Sequence, residues 1–162
     1  MAETLINISA DSVEDFMDQV ADKVGEGDGV MGLTTYEITP NYTLDSNGNI
    51  AKITFQLKVT IKRAHWSGGK ADANNKKAIQ TAEALNKKHE AKHQKIAQDI
   101  CAREFAKAAK ALKGKGEDEV QDAVDAISKQ IDDAYEDLDD KEGVTEVTEN
   151  SNGTFTVKQV GK

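Results

Sequence analysis

A single cysteine, Cys101, rules out an internal disulfide. It has no visible low-pKa setting, so it reads as a quiet thiol flanking the core rather than a nucleophile. Proline occurs once, at Pro40, so breaks between elements must come from glycine and polar turns. Aromatic residues make up 5 % of the chain, and none interleave with Lys87, Lys88, Lys92 and Lys95, which argues against a nucleic-acid surface. Positive charge is also short: the 162 residues carry 21 Lys and Arg against 29 Asp and Glu, a net charge of −8. That balance disfavours polyanions and anionic membrane surfaces as partners. No run of eighteen apolar residues exists to span a bilayer. Met1-Ala2-Glu3-Thr4-Leu5 lacks the basic and apolar regions of a secretory leader. As written the chain reads as cytoplasmic, or as exported if a leader has been removed.

What remains fits one globular domain over residues 1–162, with enough length for a real core. Leu5-Ile6-Asn7-Ile8 reads as a short strand. Asp11 reads as the N-cap of a helix carrying Val13, Phe16, Met17, Val20 and Val24 at helical spacing, which Gly25–Gly29 ends. From Thr34 the period becomes two. Tyr36, Ile38, Pro40, Tyr42 and Leu44 alternate with mostly polar residues, and Pro40 suggests an edge strand or bulge. After the turn Asp45-Ser46-Asn47-Gly48-Asn49, the residues Ala51, Ile53, Phe55, Leu57, Val59 and Ile61 share one face of a long strand. The pattern predicts an antiparallel hairpin, buried on one face.

A helix is then predicted from about Asn74 to Leu112, a Gly-containing loop at 113–116, and a second helix from about Glu117 to Asp140 with Val120, Val124, Ile127, Ile131, Ala134 and Leu138 inward. The short loop predicts an antiparallel helical hairpin. Charge agrees: residues 62–115 hold fourteen basic and five acidic side chains, residues 116–149 two and fourteen. Asn150-Ser151-Asn152-Gly153 then predicts a last β-hairpin. The expected class is α+β, with a small antiparallel sheet packed on a long antiparallel helical hairpin.

Two of the three histidines lie in His89-Glu90-Ala91-Lys92-His93, an H-E-x-x-H. Histidines four apart on a helix project from one face and can share a zinc ion. The Glu, turned by about 100°, can serve as a general base. Leu85, Ile96 and Ile100 fall on the same stripe, so the rings are expected to point inward. A metal-free pair of hydrogen-bonded core histidines is the bland alternative. Zinc needs a third protein ligand if one position is left to water. An antiparallel helix returning through a turn near residue 115 passes the level of His89 and His93 at about residues 137–141. Glu142 continues the inward stripe and is the first choice. Asp139, on the stripe's edge, and His65, which has the buried-face parity of the long strand and sits beside Trp66, are the alternatives. Glu104 lies too far along the first helix.

The order of these features, with Thr35-Tyr36-Glu37-Ile38-Thr39-Pro40-Asn41-Tyr42, Trp66, His89-Glu90-Ala91-Lys92-His93, Ile96 and Tyr135, resembles the bacterial zinc-protease-like proteins catalogued as domain of unknown function nine-two-two. The likeness covers about residues 30–143. It implies a zincin-like metallopeptidase using Zn2+, with His89, His93 and Glu142 on the metal and Glu90 as general base. Glu142 would stand where the family has a histidine, and Ala64 stands where the family has a proline. Tyr135, which matches the family's late tyrosine, or His65 would supply an oxyanion donor. The expected partner is a peptide or protein substrate. The rival expectation is a catalytically degenerate or wholly non-enzymatic metal-binding or interaction module.

Overall fold

A computed structural model describes residues 2–162. In chain order the elements are β1 (Ala2–Ser9), α1 (Val13–Val24), β2 (Gly32–Leu44), β3 (Ile50–Gly68), α2 (Ala73–Leu112), α3 (Glu119–Glu142), β4 (Val144–Glu149) and β5 (Phe155–Val160). The fold is α+β. The three-stranded sheet has the order β1-β3-β2, and β4 and β5 form a separate antiparallel pair. Among the described residues, no helix is long and apolar enough to cross a membrane.

Two local expectations change. The first sheet is mixed, because β1 runs parallel to β3, from Ala2 beside Thr60 to Ile8 beside Trp66. Parallel pairing needs a crossover rather than a tight turn, and α1 with β2 supplies the intervening chain. The cap of α1 is Ser12, whose hydroxyl accepts from the Asp15 N–H at 3.0 Å. Asp11 instead accepts from the Lys70 N–H at 2.6 Å. At the other end, Gly25 adopts φ 76°, and its N–H closes on the Ala21 carbonyl, as a left-handed glycine cap does.

The chain forms two compact units. The first comprises residues up to Thr35, then Thr60–His93 and Asp137–Lys162; the second comprises Tyr36–Val59 and Gln94–Glu136. The core of the first unit joins Ile8 of β1, Val13, Phe16 and Val20 of α1, Met31, Ala64 of β3, and Ala78, Ile79 and Ala82 of α2. Phe16 and Val20 are wholly buried, and burying a side chain of that kind is worth about 1.5–3 kcal/mol over leaving it exposed. Small residues on α2 let the helix lie close to this cluster. The β4–β5 pair is tied in by Thr145, whose N–H donates to the Gly29 carbonyl at 2.8 Å.

In the second unit, Ile50, Ile53, Leu112 and Val120 are buried together, with Tyr42, Phe55, Ala109 and Ala123 around them. Strand residues and both helices therefore share one apolar cluster, as alternation on the strands and the stripe on α3 require. The Phe55 and Phe105 rings stack at 5.3 Å, and Cys101 is buried as expected of a quiet thiol.

Candidate metal centre

The buried stripe of α2 changes character within the first unit. Ala78, Ile79 and Ala82 are apolar, and the next turns bury Asn86, His89, Glu90 and His93, each 5 % exposed or less. Four polar side chains withdrawn from water in two helical turns need partners, or their desolvation is uncompensated. For the two histidines the end of α3 provides them. Asp139 Oδ1 lies 3.0 Å from His89 Nε2 and 2.8 Å from His93 Nε2, and the two Nε2 atoms are 3.0 Å apart. His89, His93 and Asp139 are the three metal-capable residues that converge among those described.

Tetrahedral zinc with ligands at about 2.0–2.1 Å sets neighbouring donor atoms roughly 3.3 Å apart. The observed triangle is only slightly tighter. Its tautomers also suit a metal. His89 Nδ1 faces Glu142 Oε1 at 3.3 Å, and an Nδ1–H donated there leaves the Nε2 lone pair inside the triangle. Without a metal, one proton on His93 Nε2 can be shared between His89 Nε2 and Asp139. A metal ion would be held by His89 Nε2, His93 Nε2 and an Asp139 oxygen. Two imidazoles and one carboxylate are a donor set that zinc favours.

Electrostatics favour the liganding forms. Burial, then the neighbouring His89, hold His93 below its ordinary pKa, toward the neutral ring. Burial pushes the Asp139 carboxyl up, but Lys162 and His93 outweigh it and the group sits below the usual carboxylate range. Lys162 grips Asp139 twice: its ammonium lies 3.0 Å from Oδ2 and its backbone N–H donates to the Asp139 carbonyl at 3.1 Å. Oδ1 is left to the histidines. Glu142 is likewise held low: burial raises it, and Lys92 and His89 outweigh the burial. Lys92 Nζ reaches both Glu142 oxygens, at 2.6 and 2.8 Å.

Glu90 points elsewhere. Its carboxylate is buried against β2, where Thr34 Oγ1 donates to Oε2 at 2.5 Å. Burial raises the Glu90 pKa above its ordinary value, although Thr34 and His89 pull the other way.

Of the residues singled out in the sequence, His89, His93, Asp139, Glu142 and Glu90 are brought into one region of the first unit. Asp139 reaches both Nε2 atoms, and Glu142 reaches the outer nitrogen of His89. His65 is taken by Glu83, whose Oε1 lies 2.8 Å from His65 Nδ1 and also accepts from the Trp66 N–H. The alternation on β3 shifts beyond Ile61, so that Ala64 is buried and His65 is part-exposed. Tyr135 belongs to the second unit, where its ring meets Tyr36 edge-on at 5.8 Å. Thr34, Asn86 and Lys162 were not foreseen. Asn86 alone had a signal, lying one turn before His89 on the same helical sector.

Together the fold and this cluster define an α+β protein in which two buried histidines and a half-buried aspartate form a constellation that could hold a metal ion. The chain belongs to the family described as bacterial proteins of unknown function, DUF922, whose model matches residues 5–146. No curated protein and no solved structure matches it significantly.

Proposed function

We propose that the protein is a zinc-dependent metallopeptidase, with His89, His93 and Asp139 as metal ligands and Glu90 as general base. The observation that carries this reading is the meeting of Asp139 with both histidine Nε2 atoms, while Glu90, next to His89 in sequence, is buried and held separately.

Bound zinc would supply Lewis acidity and lower the pKa of water toward about 7. The protein's own groups do the rest. Glu142 fixes the His89 tautomer, and Lys162 leaves Asp139 one oxygen for the metal. The Glu90 carboxylate accepts a proton from the attacking water as its oxygen bonds to the scissile carbonyl carbon. It returns that proton to the amine as the C–N bond breaks. Burial, which raises the Glu90 pKa, moves it toward the range useful for such transfer at neutral pH. A peptide substrate is supported by β2, an edge strand of its sheet that touches Glu90 through Thr34. An extended chain pairing along that edge would run past the base.

The test is Glu90→Gln, assayed with a broad peptide library and by metal analysis. The reading expects hydrolysis to fall by at least about a hundredfold with zinc retained at one per chain. Equal rates in wild type and variant would remove Glu90 from the chemistry. Zinc bound without any turnover in the wild type would make the domain a metal-binding module instead.

A further inference from the structure

Glu90 is gripped by the sheet and not only by its own helix. Thr34 on β2, 56 positions away in sequence and itself buried, donates to Oε2 at 2.5 Å. Two residues earlier on the same strand, Gly32 lies against the other half of the carboxylate. A Cβ on residue 32 would stand 2.5 Å from Glu90 Oε1 and 2.9 Å from its carboxyl carbon. The same Cβ would stand 2.9 Å from Asn86 Nδ2. Contacts of that length are not made by real Cβ atoms, so this close approach is open to glycine alone. Residues two apart on a strand project to the same face. Gly32 and Thr34 therefore form one feature, a notch followed by a hydroxyl.

We propose that Gly32 and Thr34 are positioning residues that fix the Glu90 carboxylate for its role as base, the glycine by yielding room for Oε1 and the threonine by anchoring Oε2. The proposal rests on the metallopeptidase reading for the role of Glu90, and on geometry alone for the placement. A flexible glutamate has three side-chain torsions to restrain. The helix restricts the first, and the strand supplies the restraint at the carboxylate. Misplacing a catalytic group by about 1 Å can cost on the order of a hundredfold in rate, which gives the notch a function beyond packing. Asn86 Nδ2, buried and without a protein hydrogen-bond partner, lines the same notch, so a side chain at residue 32 would disturb both polar groups together.

The experiment compares Thr34→Val, Thr34→Ser and Gly32→Ala in the zinc-loaded full chain. Valine keeps the shape of threonine and removes the donor; serine keeps the donor. Thr34→Val should lower kcat by about tenfold to a hundredfold, with KM within about threefold and zinc content unchanged, and Thr34→Ser should restore most of the loss. Crystal structures of wild type, Thr34→Val and Gly32→Ala form a second arm that needs no activity, and a Cβ at residue 32 should displace the Glu90 carboxylate. The Glu90 carboxylate should leave its wild-type position when the donor is lost. If the carboxylate stays in place, or if kcat falls no more in the valine than in the serine variant, the proposal is overturned. If wild type shows no hydrolysis, the metallopeptidase reading fails, and the crystallographic arm alone decides whether Gly32 and Thr34 position Glu90. Should Gly32→Ala fail to fold, the threonine pair still decides.

Discussion

His89 and Asp139 stand 50 positions apart in sequence, yet His89 Nε2 and Asp139 Oδ1 are 3.0 Å apart. Glu142, one helical turn further along α3, meets only the opposite nitrogen of the same ring, at 3.3 Å. The two carboxylates thus take different tasks at one imidazole, one beside the shared lone pairs and one behind them. Asp139→Ala should reduce zinc affinity by more than about a hundredfold, and Glu142→Gln by only about tenfold, the scale of an outer hydrogen-bond partner. Competition titration against a chromophoric chelator measures both. The reverse order would transfer the ligand role to Glu142.

Metal removal should be visible in stability. A ligand that binds only the folded chain stabilises it by about 2.7 kcal/mol at a hundred times its Kd. For a chain of this size each kcal/mol moves Tm by about 2–4 °C. Zinc at that excess should raise Tm by about 5–10 °C over the chelator-treated protein, by scanning calorimetry. A shift that persists in the double variant His89→Ala, His93→Ala would place the metal elsewhere.

Much of this arrangement was legible before folding. The period-two run in β3, the helical stripes and the Gly-containing loop at 113–116 are local patterns. Counting residues back from that loop puts the return of α3 at the level of the histidines, where Asp139 lies. Patterns of this kind are weaker in depth than in direction. They do not distinguish an oxygen that reaches Nε2 from one that reaches Nδ1, because that depends on a rotation of less than one helical turn between residues 139 and 142. The parallel pairing of β1 with β3 had no turn to announce it. Thr34 was hidden for a similar reason. A threonine in a β-prone run is ordinary, and only the fold brings it to Glu90. Continuing the alternation of β3 as far as His65 put that ring on the buried face, whereas the strand's burial pattern shifts after Ile61 and Glu83 takes the ring.

Cys101 offers an independent check on the second unit. Burial pushes its thiol up to about 11 from an unfolded value near about 8.5–9. The unfolded chain therefore loses its proton first. Stability from this group is fully present below pH of about 8.5 and is lost as pH rises through 11, by about 3 kcal/mol in all. Tyr36 changes in the same sense at still higher pH, raised by burial and by its hydrogen bond to Asp132. Urea unfolding between pH 8 and 11 should show a fall that is smaller in Cys101→Ala. At pH 7.5 the native thiol should resist iodoacetamide and react once the chain is unfolded. Fast alkylation of the folded protein would contradict the burial of this side chain.

The most direct measurement is an anomalous-difference map from crystals grown without chelator and with excess zinc, recorded on both sides of the zinc absorption edge. The expected result is one peak about 2.0–2.2 Å from His89 Nε2, His93 Nε2 and an Asp139 oxygen, with Glu90 and Glu142 outside the coordination sphere. A map with no peak between the two rings, the histidines still hydrogen-bonded to Asp139, would contradict the proposed metal centre.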